Sequence, residues 1–293
     1  MDNRDEVKAF LSSRRAKVTP EQAGLAIYGR NRRVPGLRRS EVADLAGVSV
    51  EYYAQLERGN LAGVSESVLD ALGRALHLSE AEREHLLDLA RAAGPARRAR
   101  RRPPARQVRP NVARVLDGMT EVPAFIENGR LDVLAANPLA RALYAPVFAG
   151  PARPVNLARF NFLDLHARTF WGNWERAADD TVAMLRTEAG RDPYDKDLAG
   201  LVGELSTRSD EFRVRWGAHE VQLHRTGLKH IRHPVAGDLH LSYEVMELGA
   251  DPGLALVAFS AEAGSPADDV LRFLASWAAT HEPADALATP DQA

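Results

Sequence analysis

Apolar positions in the first part of this chain recur three and four residues apart, as on one face of a helix. Residues 4–16 read as an opening helix, and Leu37 to Gly59 (LRRSEVADLAGVSVEYYAQLERG) sets two short helices around a tight turn. Arg38 to Leu45 forms the first of the pair, with Leu37, Val42 and Leu45 apolar and Ala43 and Ala46 small enough for close packing. Gly47 follows its end, where a positive φ is easiest. Ser49 is suited to cap the second helix, in which Tyr53 and Leu56 turn inward while Glu51, Gln55 and Arg58 line the opposite face. A helix from Ser67 to Leu76 and a last one capped by Ser79, with Leu86, Leu87 and Leu89, complete a five-helix bundle. The pair around Gly47 has the layout of a helix-turn-helix.

From Pro110 the period changes. Val112, Val115, Leu116 and Met119 form a short helix, and PAFIENGRLDVLAA reads as a hairpin across the two-residue turn Asn128-Gly129. Asn137-Pro138 supplies a cap and a first-turn proline for a helix that ends near Tyr144. Amphipathic helices follow over Trp174 to Ala189, around Leu198, Leu201, Val202 and Leu205, and over Ser209 to His219 with Phe212 and Trp216. Three strands come next, Gly227 to His233, Asp238 to Glu247 and Leu254 to Ser260, and Ser265-Pro266 opens a terminal helix. Two strands, several helices, then three antiparallel strands is the order of a PAS-like α/β sensor domain, here a five-stranded antiparallel sheet with a helical insert.

Charge divides the chain where the period does. The formal net charge is −2 over 293 residues, yet residues 1–110 hold 21 Lys and Arg against 14 Asp and Glu, and the remainder holds 17 against 26. Residues 1–90 alone are nearly balanced, 13 against 14, so the positive charge is local. One cluster is Arg30, Arg32, Arg33, Arg38 and Arg39 with no acid between them; the other is 91–110, with eight arginines, four prolines and no acid. The first leads into the helix pair, where phosphate contacts are expected. The second buries no apolar face and reads either as a solvated linker or as a second phosphate-binding arm.

The length suits two domains. The expected boundaries are a helix-turn-helix domain over 1–92, an Arg/Pro-rich linker over 93–109, the PAS-like domain over 110–281 and a disordered tail over 282–293. Without cysteine there is no disulfide and no thiolate metal site. The charged N-terminus has no secretory run, and no eighteen consecutive apolar residues occur, so a soluble cytoplasmic protein with no membrane partner is expected.

The string AGVSVEYYAQLERG resembles the XRE family of bacterial helix-turn-helix repressors. That resemblance implies that Ala46 and Gly47 permit close helix packing, that Ser49 caps a recognition helix, and that Glu57, after Leu56, pairs with Arg15 or Arg14 of the first helix. Together with RPNVARVLDGM, RLDVLAANPLARAL, VGELSTRSDEFRVRWGAHEV and LKHIRHPVAGDLHLSYEVMEL, the region RRVPGLRRSEVADLAGVSVEYYAQLERG resembles the MmyB-like transcription regulators of bacteria over nearly the whole chain. The resemblance implies an XRE-type DNA-binding domain joined to a PAS-like domain whose pocket accepts a fatty acid or similar apolar molecule.

Two sets of site residues follow. On a double-stranded DNA operator, Val50, Glu51 and Gln55 would read bases, flanked by Ser49, Tyr52 and Arg58, while Arg38 and Arg39 hold phosphates. A PAS-like pocket lies between the sheet and its covering helices, which places Phe125, Leu134, Leu143, Trp174, Met184, Trp216, His230 and Tyr243 at the ligand. Arg186, Arg232 and His230 would receive a carboxylate; Trp171, Trp174 and Trp216 read first as ordinary core and second as pocket wall. His224, His230, His233 and His240 lie close in sequence, but residues 230 and 233 point to opposite faces of a strand, and there is no HExxH, phosphate-binding glycine loop or nucleophile elbow. Asp179-Asp180 and Asp268-Asp269 are neighbours on helices and diverge. No metal site, no cofactor beyond the apolar ligand and no enzyme are expected. The reading is a DNA-binding transcriptional regulator, acting as a homodimer, with an apolar-ligand sensor; in the alternative, the second domain is a dimerisation or partner-protein module without a small ligand.

Overall fold

A computed structural model describes residues 3–25, 36–94, 107–221 and 225–281. Arg30, Arg32 and Arg33, most of the Arg/Pro-rich run (95–106), His224 and the tail after residue 281 lie outside the described residues. The chain divides into two compact units, one within 1–102 and 182–223 and the other within 103–181 and 224–293. Residues 182–223, which the sequence pattern places in the ligand-binding domain, therefore pack with the N-terminal helices.

In the first unit α1 (Asn3–Lys17), α2 (Arg39–Ala46), α3 (Val50–Glu57), α4 (Glu66–Ala75) and α5 (Glu80–Ala93) close on a core that includes Phe10, Leu11, Leu37, Val42, Tyr53, Leu56, Leu72 and Leu86. Local sequence sets the helix ends. Gly47 is left-handed at φ 66 and ends α2, Ser49 Oγ accepts the Tyr52 N–H at 3.1 Å, and Ser79 and Glu82 cap α5 reciprocally. Leu45 does not join the apolar face: two residues on from the buried Ala43, it turns to the far side of α2 and is 39% exposed.

The rest of this unit comes from the second half of α11 (Trp174–Arg191), with α12 (Lys196–Arg208) and α13 (Asp210–Gly217). Arg186 of α11 has no exposed surface and pairs with Glu6 of α1. Its guanidinium also donates to the Trp216 carbonyl, meets His219 Nδ1 at 2.9 Å and lies 4.1 Å over the Trp216 ring. A glycine is required nearby, because a Cβ at Gly190 would sit 2.5 Å from Cε1 of His85 on α5. Burial pushes the Glu6 carboxyl up, but the His219 hydrogen bond and the Arg186 charge outweigh it and hold it at about 2, below the ordinary 4.5. His85, enclosed edge-on to Phe10, is driven down by burial from 6.5 to about 4.

The second unit is built on one antiparallel sheet of β1 (Ala124–Asn128), β2 (Asp132–Ala136), β3 (Val155–Asn156), β4 (Thr226–His233), β5 (Gly237–Glu247) and β6 (Leu254–Ser260), in the order β3-β2-β1-β6-β5-β4. The sheet has six strands rather than five, and the added one, β3, is two residues long and too short to show a period. Asn128-Gly129 does not form a two-residue turn: Gly129 to Leu131 make the loop, Leu131 takes φ 63, and Asn128 Oδ1 accepts the N–H groups of Arg130 and Asp132. Asn137 and Pro138 open α7 (Pro138–Leu143) as read from sequence. One face of the sheet carries the main core, with α7, the first half of α11 and α14 (Pro266–His281) against it. The other face packs on α6 (Pro110–Asp117) through Leu116, Ile126 and Leu254. Between α7 and α11 lie the short helices α8 (Ala145–Phe148), α9 (Leu157–Leu163) and α10 (Ala167–Phe170).

Removing one partner of the Glu6–Arg186 pair leaves a buried charge alone. Arg186→Met and Glu6→Gln are each expected to lower the unfolding free energy by about 3–5 kcal/mol, while Glu6→Leu combined with Arg186→Met recovers most of the loss. Urea unfolding followed by circular dichroism tests this, and losses that simply add would contradict it. Because the folded pKa of Glu6 is depressed, its contribution is complete above pH 4.5 and disappears as the pH falls through about 2. The gap in stability between the wild-type protein and Glu6→Gln should therefore narrow across that window.

Candidate nucleic-acid interface and ligand site

The exposed face of α3 presents Glu51, Tyr52, Gln55 and, 37% exposed, Val50; Arg58 lies just past its end, and Ser49 is engaged as the cap. What fixes this face is behind it. Glu57, 1% exposed, accepts hydrogen bonds from Arg15 Nη2 at 2.8 Å, Arg39 Nε at 2.8 Å and Ser12 Oγ at 2.9 Å, which fastens α3 to both α1 and α2. Burial raises its pKa, but the hydrogen bonds from Arg15, Arg39 and Ser12 prevail and keep it ionised below the usual carboxylate range. Arg15 is thus the partner of Glu57; Arg14 turns away to Glu82 at 2.7 Å and Glu220 at 3.5 Å. Arg39, expected at a phosphate, commits its Nε to Glu57, while Arg38 is exposed at the start of α2. A helix-turn-helix held in this way exposes polar side chains of a short helix at the spacing needed to enter a major groove.

In the second unit the strand registers decide which side chains turn inward. Phe125 and Glu127 pair with Val257 and Ala255, Tyr243 with Phe259 and Gly227, and Lys229 and Ile231 with Leu241 and Leu239. Phe125, Leu143, Trp174 and Tyr243, expected from sequence at the ligand, meet in one hydrophobic core. The other six residues of that set lie elsewhere. Leu134 alternates with the inward Val133 and joins the α6 side of the sheet. Met184, Arg186 and Trp216 belong to the helical unit. His230 and Arg232 alternate with the inward Lys229, Ile231 and His233: His230 stacks on His240 at 4.1 Å and meets Asp238 at 3.1 Å, while Arg232 donates to the Gly172 carbonyl at 3.2 Å. None of the three groups expected to receive a carboxylate faces this core.

The polar groups that do face it were missed. Lys229 Nζ donates to Asp180 at 2.9 Å and lies 5.1 Å from the Tyr243 ring; burial lowers its pKa, opposed by Asp180. Burial pushes the Glu127 carboxyl up to about 8, with Lys229 pulling weakly the other way. Tyr144, its hydroxyl also raised by burial and then by Glu127, packs among Phe125, Phe170, Trp171 and Phe259. Trp171 and Trp174 are core, as one asparagine serves both: the indole N–H groups donate to Asn161 Oδ1 at 2.7 Å and to its carbonyl at 2.9 Å. A signal for the missed groups was present, since Glu127 stands two residues after Phe125 and Lys229 two before Ile231. Among the described residues no three His, Asp or Glu are placed to hold a metal, and no helix is long and apolar enough to cross a membrane.

The fold and these two sites describe a helix-turn-helix protein with a second, sheet-based domain. Residues 12–86 match a helix-turn-helix domain, and residues 108–274 match the MmyB-like transcription regulator ligand binding domain. The chain belongs to the MmyB-like transcription regulators. No curated protein matches it. The matched ligand-binding span includes residues 182–223, which pack in the helical unit.

Replacing Gln55 by Ala should cost about 1–3 kcal/mol of binding to a selected duplex and relax preference at one base pair. Arg38→Ala should weaken all duplexes alike and lower the salt slope by about one. Competitive binding across salt concentrations separates the two, and a base-specific loss for Arg38→Ala alone would refute the assignment. In the other domain the folded pKa of Glu127 is raised, so its stabilising share is complete below pH 4.5 and lost as the pH rises through about 8. Calorimetry should show Glu127→Gln gaining on the wild-type protein from pH 5 to about 9; a constant difference would contradict the buried, unpaired carboxyl.

Proposed function

We propose that this protein is a cytoplasmic, homodimeric, XRE-type regulator that binds a near-palindromic operator and whose PAS-like domain senses an apolar small molecule. The observation that carries the DNA-binding half is the Glu57 cage, which holds an otherwise solvent-facing polar helix in a fixed pose. Val50, Glu51 and Gln55 then read bases and Arg38 holds phosphate, with Ser49, Tyr52 and Arg58 flanking; Arg39 serves mainly as an anchor. Dimerisation is inferred because one helix-turn-helix contacts too few base pairs to select one site in a genome. Nothing in either site calls for catalysis.

Support for the sensing half is the match to a ligand-binding family together with a large apolar inner face bearing buried polar groups. Phe125, Leu143, Trp174 and Tyr243 remain its ligand-contacting candidates. A fatty acid supplies a suitable chain: about twelve methylenes at ~0.8 kcal/mol each give on the order of 10 kcal/mol gross, most of it offset by lost ligand freedom, which leaves room for micromolar binding. Native mass spectrometry of the purified protein, followed by titration with fatty acids of graded length, tests the proposal. A retained ligand or a length-dependent affinity is expected. Neither, with operator binding unaffected by any of them, would overturn sensing in favour of a dimerisation or partner-protein module.

A further inference from the structure

The inner face of the sheet is apolar except for a few groups, and most of these close on each other. Lys229 is neutralised by Asp180 at 2.9 Å, Trp171 and Trp174 are satisfied by Asn161, and His233 Nε2 meets the Ala142 carbonyl at 3.0 Å. Two groups differ. Glu127, 8% exposed, and Tyr144, 3% exposed, have no hydrogen-bond partner among the described residues. Both stand against Phe125: Glu127 follows it by two on the same face of β1, and the Tyr144 ring lies 5.5 Å from it. A buried carboxyl without a partner is costly, and its place inside a ligand-binding domain rather than at a surface suggests that the partner arrives with the ligand.

We propose that Glu127, with Tyr144 beside it, receives the polar head of the ligand, and that this head is a protonated amine on an apolar body. The proposal rests on the sensing role above and concerns the head, not the chain. Charge balance selects it. Among the described residues the buried cation of this face is Lys229, already matched by Asp180, and Arg176 nearby is exposed, so a carboxylate head would add a negative charge beside Glu127 with no buried cation to meet it. An ammonium adds the one charge that ionised Glu127 lacks, and its three N–H donors suit two acceptors, a carboxylate and a phenol oxygen. Burying a matched pair is tolerated where burying a lone ion is not. A fatty acid would have to enter in its neutral form.

Isothermal titration of the full chain at neutral pH with dodecylamine, dodecanol and dodecanoate, each below its micelle concentration, tests the inference. The amine should bind at least about tenfold more tightly than the other two. Glu127→Gln should remove that advantage while leaving dodecanol within about twofold, and Glu127→Asp should restore part of it. Dodecanoate binding as tightly as the amine, or an amine affinity untouched by Glu127→Gln, would overturn the head-group assignment alone. Binding of none of the three would overturn it together with the apolar-ligand reading, so the two failures are told apart.

Discussion

An arginine with no exposed surface, 180 residues along the chain from the carboxylate that neutralises it, determines how the helical unit is assembled. Arg186 could not be buried without Glu6, because desolvating a lone guanidinium costs far more than the fold has to spare. Once the two meet, α11 is fixed against α1, Gly190 admits His85, and α12 and α13 follow into the same unit. The same α11 supplies Trp174, Ala177 and Ala178 to the core on the sheet of the second unit. A segment matched by the ligand-binding family is thus part of the unit that holds the helix-turn-helix. The covalent connection between the sites is therefore not confined to the Arg/Pro-rich run.

Three buried carboxylates show how environment assigns different tasks to one side chain. Glu6, met by Arg186 and His219, and Glu57, met by Arg15 and Arg39, stay ionised and act as internal clamps, the first on α11 and the second on α3. Glu127 has a similar degree of burial but no such donor, and its pKa moves to about 8 instead. Clamps of the first kind specify geometry, since a misplaced arginine would leave two buried charges unmatched. A carboxyl of the second kind destabilises the fold, and such groups are commoner at functional sites than in cores built only for stability.

The helix-turn-helix was legible because its signals are local. Gly47, Ser49, Tyr53 and Leu56 each carry their meaning within one turn of helix, and the structure uses each as read. Leu45 failed because eight residues define a helical face only loosely. The sheet was legible in the long strands, whose alternation is unambiguous, and not in β3 or in the loop after Asn128, where Leu131 adopts a conformation its side chain gives no hint of. The inner face of the sheet was only partly legible, since Leu134 and His230 were placed by hydrophobicity and chemistry when alternation with Val133 and Ile231 points them outward. Arg186 had no local signal at all: its partner lies in another helix near the start of the sequence, and that pairing, with Arg14–Glu220 and Arg191–Asp88, ties residues 182–223 to the N-terminal helices.

The central claim is that a molecule held in the sheet domain changes how the helix-turn-helix engages DNA. A ligand-stripped and a ligand-loaded preparation, footprinted on the same duplex selected from a random pool, compare the two states directly. The account predicts protection at the same paired half-sites with an affinity that differs between preparations, because a ligand shifts an equilibrium only through differential binding to its two states. Identical affinity in both preparations, with ligand occupancy confirmed by mass spectrometry, would contradict it.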